Sequence, residues 1–131
     1  GINFSFSGLK TSVLYFLREV QKNDPNFIEK NLVDICASIQ HTIIDILLKK
    51  LIRASVQTGI KEICIAGGVS ANSGLRNEVK RIGNEKGWNV YIPDFQYCTD
   101  NAGMIAITAY YKFQEKQFAK LKDSPSARAA W

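Results

Sequence analysis

Several things are scarce in this chain. Its 131 residues hold one histidine, one methionine, three prolines and three cysteines. With His41 alone, no His-x-x-x-His pair and no two-imidazole metal centre can be built from these residues. Cys36, Cys64 and Cys98 are odd in number and far apart, without a C-x-x-C pair, which excludes a zinc ribbon or a redox dithiol of that type. They read as buried apolar thiols in a reducing compartment. Long apolar runs are absent too: Asp45, Lys49 and Lys50 interrupt the greasiest region before it reaches the roughly 18–20 residues that cross a bilayer, so we expect no membrane span. No charged-then-apolar signal segment opens the chain, and it begins with Gly1 rather than Met, so we expect a longer polypeptide upstream.

What is present suits one globular domain. The chain is 46% apolar and 22% charged, and its seven Phe, five Tyr and two Trp call for a packed interior or a partner, which argues against disorder. Seventeen basic against twelve acidic residues leave +5, a balance that suits a polyanion such as nucleic acid. Lys49, Lys50 and Arg53, and Lys80 with Arg81, fall at helical intervals, where a solvated helix face is the commoner cause.

Pro25, Gly59, Gly87, Pro93 and Pro125 mark the joints; there is no internal repeat. Residues 2–6 alternate apolar and polar, which predicts a half-buried strand. Residues 9–22 carry Leu9, Val13, Phe16, Leu17 and Val20 at helical spacing, stopped at Asn23-Asp24-Pro25. A second helix is predicted over residues 26–58, capped by Gly59, long enough to contain a break; His41 lies in it as a surface histidine. Residues 60–66 read as a buried strand, 73–86 as a helix, 88–92 as a strand stopped by Pro93, and 100–116 as a last helix. This alternation predicts an α/β fold with the two late strands parallel. Residues 122–131 read as an irregular tail.

Ligands in open α/β sheets gather beyond the carboxyl ends of strands, and two unusual loops fall there. In Ala66-Gly67-Gly68-Val69-Ser70-Ala71-Asn72, paired glycines let backbone N–H groups approach a bulky anion at a helix N-terminus, so phosphate is the natural guest; a tight structural turn is the alternative. The loop is neither a P-loop nor a dinucleotide fingerprint. Asn72 either caps the helix or points its amide at a ligand. In the loop from Tyr97 to Met104, Asp100 is either an N-cap carboxylate or a metal ligand. One carboxylate makes no site, and any further ligands must come from outside the chain. A third segment, Phe4-Ser5-Phe6-Ser7-Gly8-Leu9-Lys10-Thr11, places hydroxyls, a glycine and a lysine where strand meets helix. Ser7 and Lys10 there either shape an anion pocket or serve as an N-cap and a solvated side chain.

Taken together, Phe4–Thr11, Ala66–Asn72 and the run Cys98-Thr-Asp-Asn-Ala-Gly-Met-Ile-Ala106 closely resemble the signature segments of the TsaD (Gcp) family, the tRNA threonylcarbamoyladenosine transferases once misnamed O-sialoglycoprotein endopeptidases. The match runs in order along almost the whole chain. The resemblance implies an actin-like fold of the sugar-kinase and heat-shock-protein type, with two ribonuclease-H-like lobes about a cleft. Residues 1–121 would be the C-terminal portion of that fold, with the amino-terminal lobe and its His-x-x-x-His pair missing.

The implied activity is transfer of a threonylcarbamoyl group from threonylcarbamoyl-adenylate to the exocyclic amine of the adenosine beside the anticodon. By resemblance, Gly67, Gly68, Val69 and Asn72 contact the nucleotide, Asp100 ligates one divalent metal (iron or zinc), and Ser7 and Lys10 help orient the substrate. The implied partners are tRNA, TsaB and TsaE, in the cytoplasm, with no membrane, and with self-association conceivable for an incomplete lobe. The isolated piece is expected to be inactive. The rivals are a glycoprotein-type metallopeptidase, for which the chain lacks H-E-x-x-H, and a non-catalytic actin-like nucleotide-binding scaffold, for which keeping Asp100 would be surplus.

Overall fold

The computed structural model describes residues 2–124. In chain order these form α1 (Phe6–Asn23), α2 (Phe27–Thr58), β1 (Glu62–Cys64), α3 (Ser73–Lys86), β2 (Asn89–Tyr91) and α4 (Ala102–Gln114), with single helical turns at Gly68–Ala71 and Phe95–Tyr97. The result is a helix-rich α/β arrangement around a parallel two-stranded sheet, in which Glu62, Ile63 and Cys64 stand opposite Asn89, Val90 and Tyr91. The parallel pairing agrees with the alternation of elements. Both strands are shorter than predicted, and only Ile63 of β1 is buried, so the expected buried strand is half-exposed.

Residues 2–5 are not a strand. The chain enters α1 at Phe6, because the Ser5 hydroxyl accepts the Gly8 N–H at 3.1 Å and caps the helix. Among the described residues no third strand lies alongside to pair with this segment, and an unpaired strand leaves its backbone groups unmet.

The expected break in the second helix lies at Asn31 (φ −120°, ψ 18°), whose side-chain amide donates to the Phe27 carbonyl at 2.8 Å and competes with the helical ladder. Gly59, at φ 72°, ends α2 in the left-handed conformation. By length and composition α2 is long and apolar enough to cross a membrane, which corrects the premise that Asp45, Lys49 and Lys50 break the apolar stretch but does not make α2 a membrane span. Residues 31–48 carry only Asp34 and Asp45 as charges, and the two lysines come after that stretch. Ile44 and Leu48 of this helix are nonetheless buried core residues.

The core is small: Ile44 and Leu48 from α2, Ile63 from β1, Leu75, Val79 and Ile82 from α3, and Trp88. Helix α3 lies so close to β2 that a Cβ on Gly83 would collide with the Val90 side chain. Glu62 ties the strands together at the surface, accepting from Asn89 Nδ2 at 2.5 Å and from Tyr91 Oη at 2.7 Å. These hydrogen bonds, Asn89 first, hold its carboxyl below the ordinary value, and the same bond raises the Tyr91 phenol. Cys98 is buried, whereas Cys36 and Cys64 are exposed, so two of the three thiols do not take the interior place expected of them. Lys122, Asp123 and Ser124 are irregular as expected, and the rest of the tail, with Pro125, falls outside the described residues.

Candidate functional site

The glycine turn follows directly from β1. Gly67 adopts φ 78°, ψ 178°, a conformation that side-chain-bearing residues rarely reach, and this swings the chain out of the strand. The turn then closes on itself. The Ser70 N–H and Oγ both donate to the Gly67 carbonyl, at 2.9 and 2.7 Å, and the Asn72 N–H donates to the Val69 carbonyl at 3.1 Å. Ser70 is buried beneath the turn. Nothing lies within 4 Å of where a Cβ would stand on Gly67 or on Gly68, so a ligand can approach the backbone there.

Gly67, Gly68 and Val69 form one wall of a cavity of about 390 Å³ whose other walls include Phe6, Leu47, Leu51 and Val79. The structure thus brings the first signature segment, through Phe6, against the second. An apolar chamber beside bare backbone suits a ligand with a flat apolar part and an anionic end.

The other sequence-predicted residues lie outside that cavity. Asn72 is the N-cap of α3: its Oδ1 accepts the Leu75 N–H at 3.0 Å, and its Nδ2 donates to Gln40 Oε1 at 3.3 Å. The capping role is therefore filled. Ser7 does not cap α1; it sits exposed in the first turn, where its carbonyl accepts from the Thr11 hydroxyl at 3.0 Å, and Lys10 is exposed one turn on. Asp100 does not cap α4 either. That position belongs to Asn101, whose Oδ1 accepts the Met104 N–H at 3.1 Å, leaving Asp100 exposed at the loop surface. No group of three or more His, Cys, Asp or Glu side chains converges among the described residues, so they do not by themselves make a metal site.

The residue that sequence reasoning missed is Arg76, in the first turns of α3. Its Nε donates to the Ser70 carbonyl at 2.6 Å, its Nη2 to the Pro93 carbonyl at 2.6 Å and to Cys98 Sγ at 3.0 Å. Its guanidinium also lies 4.0 Å from the Phe95 ring centroid. One signal was available. A cation near a helix N-terminus opposes the helix dipole, so an arginine there implies dedicated acceptors.

Against this geometry, a family model described as tRNA N6-adenosine threonylcarbamoyltransferase (TsaD) matches residues 1–107. Relatives carrying the same description include those of Cytophaga hutchinsonii and Christiangramia forsetii, each 55% identical over 128 residues and 98% of this chain. That of Porphyromonas gingivalis is 52% identical over 128 residues. The chain spans 37% of the length of the first of these and 38% of the other two. With the family model covering residues 1–107, most of its length, the chain belongs to the TsaD family.

Proposed function

We propose that these residues form the C-terminal part of an actin-like enzyme that moves a threonylcarbamoyl group from threonylcarbamoyl-adenylate to the exocyclic amine of the adenosine beside the anticodon of tRNA. The observation that carries this reading is the glycine turn: bare backbone at Gly67 and Gly68 beside an apolar cavity. In this reading Gly67, Gly68 and Val69 lie against the nucleotide, while Asn72 holds the turn in place through its cap. Ser7 and Lys10 approach from the start of α1, and tRNA lies over basic surface, for which the +5 charge is favourable.

The substrate is a mixed anhydride of a carbamate and a phosphate. The amine nitrogen attacks the carbamoyl carbon and a C–N bond forms. The bond from that carbon to the phosphate oxygen breaks, AMP leaves with the electron pair, and the amine gives up a proton to solvent. Negative charge builds on the departing phosphate, and backbone donors at a glycine turn are the groups that hold such charge without reorganising. No covalent nucleophile is needed. Asp100 would supply one carboxylate to a divalent ion, iron or zinc, whose other ligands lie outside the described residues; no step above depends on it. TsaB and TsaE are the proposed protein partners, in the cytoplasm.

The test grafts residues 1–131 onto the Cytophaga hutchinsonii relative in place of its matching segment. The graft is expected to modify tRNA in the presence of threonylcarbamoyl-adenylate, and the isolated chain is expected to give negligible turnover. A folded graft that leaves tRNA unmodified while the parent works, or one that hydrolyses glycopeptides instead, would overturn the reading.

A further inference from the structure

We propose that Arg76 is a positioning residue that locks the glycine turn and the loop carrying Asp100 into one register, so that the two motifs meet a ligand as a single rigid unit. The proposal deepens the reading above and rests on it for the identity of the ligand. Its geometry stands independently. The guanidinium reaches across from α3 to two segments far apart in sequence: Ser70 lies six residues before it, and Pro93 and Cys98 lie 17 and 22 residues after it.

What it bonds is informative. An arginine kept for ion pairing faces a carboxylate, and this one spends its donors on two backbone carbonyls and a thiol, with Phe95 stacked against its face. Both carbonyls belong to segments that lack regular pairing of their own. Ser70 sits in the single turn closed by Gly67, and Pro93 leads into the short turn where Tyr97 N–H meets the Asp94 carbonyl at 2.9 Å and Cys98 N–H meets the Phe95 carbonyl at 3.2 Å. Cys98 Sγ in turn lies 3.6 Å from the Asp94 carbonyl, which anchors the chain two residues ahead of Asp100. The strand pairing fixes where both loops begin, with Ile65 N–H donating to the Tyr91 carbonyl at 3.1 Å, and the guanidinium ties them together beyond the ends of the strands. A lysine cannot replace it, because one ammonium cannot serve three acceptors spread across a planar fork.

Two measurements test the link. In the full chain, amide hydrogen exchange is followed at Ser70, Asn72, Tyr97 and Cys98. Arg76→Met is expected to speed exchange about ten-fold at all four together, because both loops lose one shared anchor. Acceleration confined to one loop would overturn the proposal. In the grafted full-length enzyme, Arg76→Met is expected to lower kcat about ten-fold or more while the affinity for AMP alone changes less than about three-fold, since the turn survives but its alignment with the second loop does not. Arg76→Lys is expected to recover only part of kcat. Unchanged kcat per folded site, or full recovery with lysine, would overturn it. Should Arg76→Met fail to fold, Arg76→Lys gives the same two readings, with a smaller rise in exchange at all four amides. A wild-type graft without activity would count against the transferase reading alone, because the exchange result does not depend on turnover.

Discussion

Two adjacent glycines in one turn make unequal demands. Gly67 occupies φ 78°, so an alanine there is strained whatever the space around it, whereas Gly68 has an ordinary φ and open space beyond its Cα. Gly67→Ala is therefore expected to cost about 1–3 kcal/mol in denaturant unfolding. Gly68→Ala is expected to stay within about 0.5 kcal/mol of the parent, yet to weaken AMP binding because its methyl group occupies the line of approach to the backbone. Titration calorimetry beside urea unfolding separates the two effects, and equal AMP affinity in Gly68→Ala would remove that glycine from the ligand. At this scale the sequence was legible where chemistry is local. Paired glycines at a strand end announce a turn, and capping is one of the two roles that Asn72 offers there. The cap of α4 was not: the sequence offered Asp100 for it, and only the backbone at Asn101 (φ −149°, ψ 159°) shows that the helix starts one residue later.

At the scale of elements, periodicity located α2 and α3 well because each has its own internal ladder of hydrogen bonds and its own cap. The boundaries of α3 match the prediction at both ends, Ser73 and Lys86. Strands are different, since a strand exists only where a second one lies alongside. Residues 2–6 have the right alternation but no such neighbour among the described residues, while residues 60–66 and 88–92 shorten to the three residues each that pair. The Glu62 bridge across these strands carries a pH signature. Its carboxyl is held below the ordinary value by donors from Asn89 and Tyr91, so the ionised form adds stability above the ordinary glutamate pKa of about 4.3, and that contribution is lost as pH falls through the depressed folded value. Urea unfolding between about pH 3 and 7 is expected to show less loss of stability toward low pH in Glu62→Gln than in the parent, and identical profiles would assign the bond no energetic role.

At the scale of the whole molecule, the notable fact is how little of it is covered. Helix α4 has no buried residue, and Ile105, Tyr110, Tyr111 and Phe113 are all more than half exposed. Apolar surface of this extent seeks a partner, so the 14.7 kDa chain on its own is expected to self-associate as concentration rises. Sedimentation velocity checks this: Ile105→Lys with Phe113→Lys should reduce the association, and a monomer at every concentration would contradict it. By itself the sequence determined the helices, the cap at Gly59, the joint at Gly87, the glycine turn and the family, because these depend on near neighbours in the chain and on motifs in register. Tertiary structure alone decided that residues 2–5 are not a strand, that Phe6 meets Gly67 across a cavity, that Cys98 is buried where Cys36 and Cys64 are not, and that Arg76 spans two loops. Each of those depends on which distant segments come to lie side by side, and the energy of pairing, packing or desolvation appears only once they do.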